Sequence, residues 1–196
     1  MSKRVLDVAV AGVLLVLSLP LFLLVAVVVG LTSRGPVFFV HERVGLHGVP
    51  FRMIKFRTLR PGTDDELRAN AHHFTANEFK VRPDDHRITR VGALLRKSSL
   101  DELPQLLHVI SGRMSLVGIR PIVQEQLMTR PVAYQEMYCS VRPGLTGLWQ
   151  INGRSTRLPG DRLQLDEEWH RTWSFWGDVK ILLRTPAAVL RLHHAH

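Results

Sequence analysis

Two adjacent carboxylates, Asp101 and Glu102, follow Ser99 and Leu100 and precede the apolar Leu103, Leu106, Leu107 and Ile110. Serine followed three residues later by an acid is the spacing of a capping box, the commoner role for such a pair. Acids in a first helical turn also favour the positive end of the helix dipole, by about 0.3–1 kcal/mol each. The same physics can serve chemistry. A helix N-terminus attracts phosphate and keeps a carboxylate ionised, so a nucleophile and an anionic substrate can meet there. One acid can attack phosphorus while its neighbour holds Mg²⁺. Phosphoryl transfer further needs cations against the charge on the phosphate oxygens. Arg87, Arg90, Arg96, Lys97 and Arg120 lie close by in sequence. A Lys/Arg run also suits a solvated face or a contact with anionic lipid.

Other constellations are weaker. His72-His73 and His193-His194-Ala195-His196 have no carboxylate or cysteine partners at ligand spacing, which argues against a structural zinc site. Cys139 is the single cysteine, so it forms neither an internal disulfide nor a zinc-type pair. The net charge of +9 invites nucleic acid as a partner. No zinc finger, RNP-like aromatic sequence or glycine-rich P-loop supports it. With 45% hydrophobic and 22% charged residues, the chain is not a disordered polar one.

The elements that must position the carboxylates begin with a membrane segment. Residues 8–33 hold no charged side chain, and Val8–Leu31 is an apolar run of 24 residues. As a helix it would reach about 36 Å, beyond the ~30 Å of a hydrocarbon core. The run is longer than a usual signal-peptide core and lacks a clear cleavage site. A straight span and a re-entrant segment both remain open. Ser18 and Pro20 near the middle favour a bend, because proline removes an N–H and clashes with the preceding turn. Lys3 and Arg4 on one flank, Arg34 and Arg43 on the other, place both ends in the cytoplasm if each obeys the positive-inside tendency.

Residues 34–196 carry 24 basic and 16 acidic residues, hence +8 of the total. They read as one α+β domain, small and mostly helical. Val37–Val44 and Phe51–Leu59 form a short β-hairpin around Gly45-Leu46-His47-Gly48. Helices are expected over Asp64–Phe74, Ile88–Arg96, from Ser99 to a stop at Gly112, over 122–138, and from about Leu163 onward. Arg82–Asp85 reads as a turn, Ser115–Pro121 as a loop, and residues 142–150 as a long loop of mixed character. Trp169, Trp173, Phe175 and Trp176 precede a basic, apolar stretch that suits an amphipathic interfacial helix at least as well as a core.

Seven stretches, in order, resemble the bacterial sugar transferases known as monotopic phosphoglycosyl transferases. They are Lys3-Arg4-x-x-Asp7, Gly35-Pro36-Val37-Phe38-Phe39, Lys55-Phe56-Arg57-Thr58, Arg96 to Gln105, Met114 to Gly118, Arg120-Pro121, and Arg142 to Gln150. The resemblance implies transfer of a sugar 1-phosphate from a nucleotide diphosphate sugar, with a UDP-sugar the expected one, to undecaprenyl or another polyprenyl phosphate, with Mg²⁺. This is the initiating step of surface-glycan synthesis. It makes Asp101 a nucleophile that carries a covalent phosphosugar and Glu102 the Mg²⁺ ligand. Arg96, Arg120, Pro121, Lys55 and Arg57 become binders of substrate phosphate and nucleotide. It also implies a re-entrant helix over residues 1–33, broken at Ser18 and Pro20, in one leaflet of the bacterial inner membrane. Residues 34–196 would then face the cytoplasm, with room for a homodimer and no nucleic acid.

The resemblance reads the chain as a minimal catalytic unit without the extra membrane helices of longer relatives. The family pattern Gly-Pro-Arg-Pro-Glu appears here as Gly118-Ile119-Arg120-Pro121-Ile122, with Glu125 a candidate for the missing acid. Sugar contacts are expected on Asn152–Arg157. The competing readings are a degenerate regulatory relative and a non-catalytic anchored protein that binds anionic lipid or nucleic acid.

Overall fold

The computed structural model describes residues 3–60, 85–152 and 159–191. Its first helix, α1 (Lys3–Thr32), passes through Ser18 and Pro20 without interruption. Pro20 has no N–H for the ladder, and the Ser18 hydroxyl donates to the Leu15 carbonyl at 3.3 Å. Ala11, Leu15, Ser18, Phe22, Val25 and Val29 form one stripe at helical spacing, buried or half-buried against the rest of the chain. Val13, Leu14, Val16, Leu17, Leu19, Leu21, Leu23, Leu24 and Val27 are exposed. Leaving nine such side chains in water forgoes on the order of 10–20 kcal/mol of burial. That rivals the whole stability of a domain, so this face belongs in lipid. By length and composition, α1 is long and apolar enough to cross a membrane.

Both ends of α1 are tied to the same domain. At its start, Lys3 pairs with Asp178, Arg4 donates to the carbonyls of Val109 and Ile110, and Asp7 accepts from the Ser115 hydroxyl and the Leu116 N–H. At its end, Val25 and Val29 join Phe56 and Leu95 in a small apolar cluster. Phe22 lies 6.0 Å from the Phe38 ring and 4.9 Å from that of Phe56. Arg57 donates to the carbonyl and hydroxyl of Ser33, both at 2.7 Å.

The expected hairpin is present. β1 (Phe38–Val44) pairs antiparallel with β2 (Pro50–Phe56), and Phe39 faces Lys55 while Arg43 faces Phe51. Its turn uses left-handed backbone at His47 and Gly48. Beyond β2 the chain leaves and returns at one neck, where Leu59 bridges Ile88 and the Arg60 N–H donates to the Arg87 carbonyl. The helix expected over Asp64–Phe74 and most of the turn over Arg82–Asp85 lie outside the described residues.

α2 (Arg90–Ser98) starts on a Thr89 side chain that accepts from the Gly92 N–H. The capping box expected at Ser99 does not form. Ser99 has left-handed backbone (φ 57°), makes no side-chain cap, and closes α2 through its own N–H. A 3₁₀ segment over Leu100–Gln105 follows, and only then α3 (Leu106–Ile110), stopped by left-handed Gly112 as expected. Pro104 sits inside the 3₁₀ segment, which tolerates it near a helix start.

Two expected loops carry a second, parallel pair of strands, β3 (Ser115–Val117) and β4 (Gly144–Thr146). The single helix expected over 122–138 is two, α4 (Gln124–Met128) and α5 (Val132–Cys139), separated by Pro131, whose missing N–H suits a helix start. α6 (Leu148–Ile151), α7 (Pro159–Arg171) and α8 (Phe175–Arg191) complete the α+β fold. The aromatic cluster ahead of α8 divides. Trp169 is buried and donates to Asp178, as does Trp173, whereas Trp176, Leu183 and Leu190 are exposed.

Tyr138 fastens the hairpin to the segment after Pro121. Its buried hydroxyl donates to the Val44 carbonyl at 2.8 Å and accepts from the Ile122 N–H at 3.2 Å. Tyr138→Phe leaves both backbone groups without that partner, so we expect a stability loss of about 1–3 kcal/mol. Thermal unfolding of the purified protein measures it, and an unchanged midpoint would contradict the role given to this hydroxyl.

Candidate active site

The left-handed turn at Ser99 swings the chain out of α2 and lays the 3₁₀ segment along β2. Leu100 and Leu103 pack into the cluster around Phe56 and Leu95 at the end of α1. That leaves Asp101 buried, with 8% of its surface exposed, and Glu102 half-buried beside it. His108 on α3 holds β2 in register from behind, its Nε2 accepting from the Ile54 N–H at 3.1 Å.

Three elements deliver the cations. Lys55 stands on β2 with its Nζ 5.1 Å from the centre of the Phe39 ring. Arg96 is in the last turn of α2. Arg120 follows β3, with buried Pro121 fixing the backbone after it, and its Nη2 donates to Glu102 Oε1 at 2.8 Å. Burial pushes the Asp101 carboxyl up from its usual range to about 6, the neighbouring Glu102 adds to this, and Lys55, Arg96 and Arg120 oppose it. The same burial lowers Lys55 and Arg96, while Glu102 raises Arg120.

The structure therefore brings Asp101, Glu102, Lys55, Arg96 and Arg120 together. Arg57 is turned instead toward Ser33 at the end of α1. Ser18 and Pro20 stay on α1. Ile119 and Ile122, which replace the proline and acid of the resemblance, are core residues, 1% and 2% exposed.

Two cations that sequence reasoning left out of the site belong to its border. Arg43 on β1 senses most strongly Arg120, Tyr138, Arg162 and Glu125. Arg162 on α7 donates to the Arg120 carbonyl at 3.2 Å and stacks 4.9 Å from the Trp149 ring. Strand alternation could have found Arg43, because opposite pairs put Phe39, His41 and Arg43 on the face that carries Lys55. Nothing local marks Arg162.

Two carboxylates with cations behind them can handle a phosphate in two ways, by attack on it and by a shared divalent ion. Among the described residues no cluster of three or more His, Cys, Asp or Glu could hold a metal by itself. Mg²⁺ does not need one, since it keeps several waters and takes one or two carboxylates plus substrate phosphate. Asp101 and Glu102 fit that donor set.

The sequence of the bacterial sugar transferase family matches over residues 1–192. The exopolysaccharide production protein ExoY of Rhizobium meliloti is 41% identical over 96% of this chain and 85% of its own length. The UDP-glucose:undecaprenyl-phosphate glucose-1-phosphate transferase of Caulobacter vibrioides is 42% identical over 100% of this chain and 72% of its own. The undecaprenyl-phosphate galactose phosphotransferase of Salmonella typhimurium is 38% identical over 99% of this chain but 41% of its own. With the match extending from α1 through α8, the chain belongs to the bacterial sugar transferase family.

Proposed function

We propose that the protein transfers a sugar 1-phosphate from a UDP-sugar to undecaprenyl phosphate, in two steps, through a phosphosugar bound to Asp101. The observation that carries this reading is the buried Asp101 among Lys55, Arg96 and Arg120, beside an apolar helix whose outer face belongs in lipid. The names of the Caulobacter and Salmonella relatives supply the acceptor, and the former supplies a UDP-sugar donor.

In the first step an Asp101 oxygen attacks the sugar-bearing phosphorus, and the bond to the bridging oxygen breaks. The electron pair stays on that oxygen, which leaves in the nucleoside monophosphate. In the second step an oxygen of the lipid phosphate attacks the same phosphorus and Asp101 leaves as carboxylate. Burial makes Asp101 a better nucleophile than a solvated carboxylate, because less hydration must be stripped from it. Lys55, Arg96 and Arg120 keep enough of it ionised and face the phosphate oxygens. Glu102, with Arg120 on one oxygen, is the acid that would hold Mg²⁺, which when bound neutralises phosphate charge.

The membrane arrangement that fits best is re-entrant. α1 would be about 45 Å long if straight. A spanning helix would carry one end across the ~30 Å hydrocarbon core, yet Lys3, Arg4 and Asp7 at one end and Ser33 just past the other all bond to one domain. Pro20, exposed in the middle of the lipid-facing stretch, is where the helix can bend. We place the domain on the cytoplasmic side of the inner membrane.

Incubating the membrane-bound protein with undecaprenyl phosphate, Mg²⁺ and a panel of nucleotide diphosphate sugars should release nucleoside monophosphate from at least one. Asp101→Asn should reduce release by at least a thousandfold, about 4 kcal/mol of barrier, and abolish the phosphosugar adduct seen by intact-protein mass spectrometry. Glu102→Gln should lose most activity and its Mg²⁺ dependence. Near-normal turnover by Asp101→Asn would exclude the covalent route.

The raised carboxyl sets two pH expectations. Turnover that needs ionised Asp101 should climb as pH rises through about 6. Because the folded-state value lies above the unfolded one, the charge of Asp101 destabilises the fold fully above about 6 and not at all well below 4. Asp101→Asn should therefore melt above the parent at pH 7.5, with the gap closing toward pH 4. An equal gap at both pH values would contradict a buried, charged Asp101.

For topology, a cysteine at Ser2 in a Cys139→Ser background should resist a membrane-impermeant thiol reagent in intact cells and react after lysis. Labelling in intact cells would rule out the re-entrant arrangement.

A further inference from the structure

Arg43 has no assigned role, and its surroundings ask for an anion. Its Nε is buried without a hydrogen-bond partner among the described residues. Arg120 and Arg162 lie close enough to depress it, after burial itself, to about 10, and Glu125 is the one carboxylate among the groups acting most strongly on it. Arg120 is answered by Glu102 and Arg162 by Asp166, whereas the buried Arg43 Nε has no partner among the described residues, which is costly unless a ligand completes it.

Its position separates it from the dyad. The hairpin meets α1 at its open end, through Phe38 and Phe56, and Lys55 lies there opposite Phe39. Arg43 is four residues further along the same face, about 13 Å toward the turn. A lipid phosphate arriving along α1 meets Lys55 first. The groups acting most strongly on Asp101 are Glu102, Lys55, Arg96 and Arg120, whereas those acting on Arg43 are Arg120, Tyr138, Arg162 and Glu125, and Arg43 in turn acts on Lys55. Arg120 is thus shared, bonded to Glu102 of the dyad and close enough to act on Arg43. Beside Arg43 opens a cavity of about 270 Å³ whose lining includes His41, Arg43, Pro50, Gln124 and two carboxylates, Glu42 and Glu125. Its walls offer donors and acceptors next to the apolar Pro50 and Val123, the mixture that a nucleoside requires.

We infer that Arg43 binds the donor phosphate that departs with the nucleoside, held toward it by Glu125, and that the adjoining cavity receives the nucleoside. The inference rests on the phosphoglycosyl transfer described above. When the bond between the two donor phosphorus atoms' bridging oxygen and the sugar-bearing phosphorus breaks, the electron pair remains on that oxygen. The added charge falls on the nucleoside monophosphate, and Arg43 supplies N–H donors to it. Glu125, three positions beyond the isoleucine at 122, then does for Arg43 what Glu102 receives from Arg120 in reverse: a carboxylate aligns a guanidinium.

Uridine monophosphate is titrated calorimetrically into the full-length protein in lipid nanodiscs, and KM is measured separately for donor and for undecaprenyl phosphate. Arg43→Ala should weaken uridine monophosphate about ten- to hundredfold, the loss of one charge-assisted contact, and raise donor KM in parallel, leaving the lipid KM unchanged. Arg43→Lys and Glu125→Gln, which disturb packing least, should each weaken it severalfold. They carry the test should Arg43→Ala not fold. Unaltered nucleotide binding in these variants overturns the inference. A rise in lipid KM equal to that for the donor also overturns it, since a structural or acceptor role would act so. Failure of the parent protein to release nucleoside monophosphate from any donor is a separate result, and removes the transfer reading itself.

Discussion

A carboxylate held inside a protein ionises near neutrality only if cations face it there, and much of this structure answers to that condition at Asp101. Burial raises the acid's pKa, and the Glu102 charge pushes the same way. Lys55, Arg96 and Arg120 oppose both, and each comes from a different element: the hairpin, the end of α2, and the residue after β3. None of the three elements is rigid alone. The hairpin is pinned by His108 and Tyr138, and β3 by its pairing with β4 and by Asp7. Asp101 can therefore be both buried and ionised because its supporting charges are fixed by contacts remote from it.

α1 is part of that scaffold as well as an anchor. Asp7 accepts from the backbone of β3, four residues before Arg120, and the apolar cluster at the other end of α1 contains the leucines that bracket the dyad. The lipid-facing side and the site-supporting side are opposite faces of one helix. Any disturbance that rotates α1 to shield its lipid face would also shift the groups that hold the site.

Much of this was legible in residue order. The apolar run, the hairpin, the dyad and its cations could each be read from composition, alternation and spacing, and the family resemblance assigned their roles. What was not legible depended on tertiary contact. Ser99 has capping-box spacing, but the packing of Leu100 and Leu103 on Phe56 and Leu95 is satisfied by a left-handed turn there, and the cap is lost. Ser115–Val117 and Gly144–Thr146 are too short to show a strand period, and they pair only because they meet across 29 residues. Arg57 and Arg43 are equally basic in sequence. Only the position each takes along the hairpin turns one to Ser33 and the other toward Arg120.

The Lys3–Asp178 contact ties the order of synthesis to the finished shape. Lys3 is made well before its carboxylate partner and the indoles of Trp169 and Trp173 that steady it, which come about 170 residues later. Asp7 likewise waits 108 residues for Ser115. During translation α1 must enter the lipid before these partners exist, with three charged side chains solvated at the membrane surface. Closure of the fold is thus a late, long-range event, slow for the same loop-entropy reason that delays other distant pairings. Until α8 docks against β3, the segment that carries Arg120 lacks its final support.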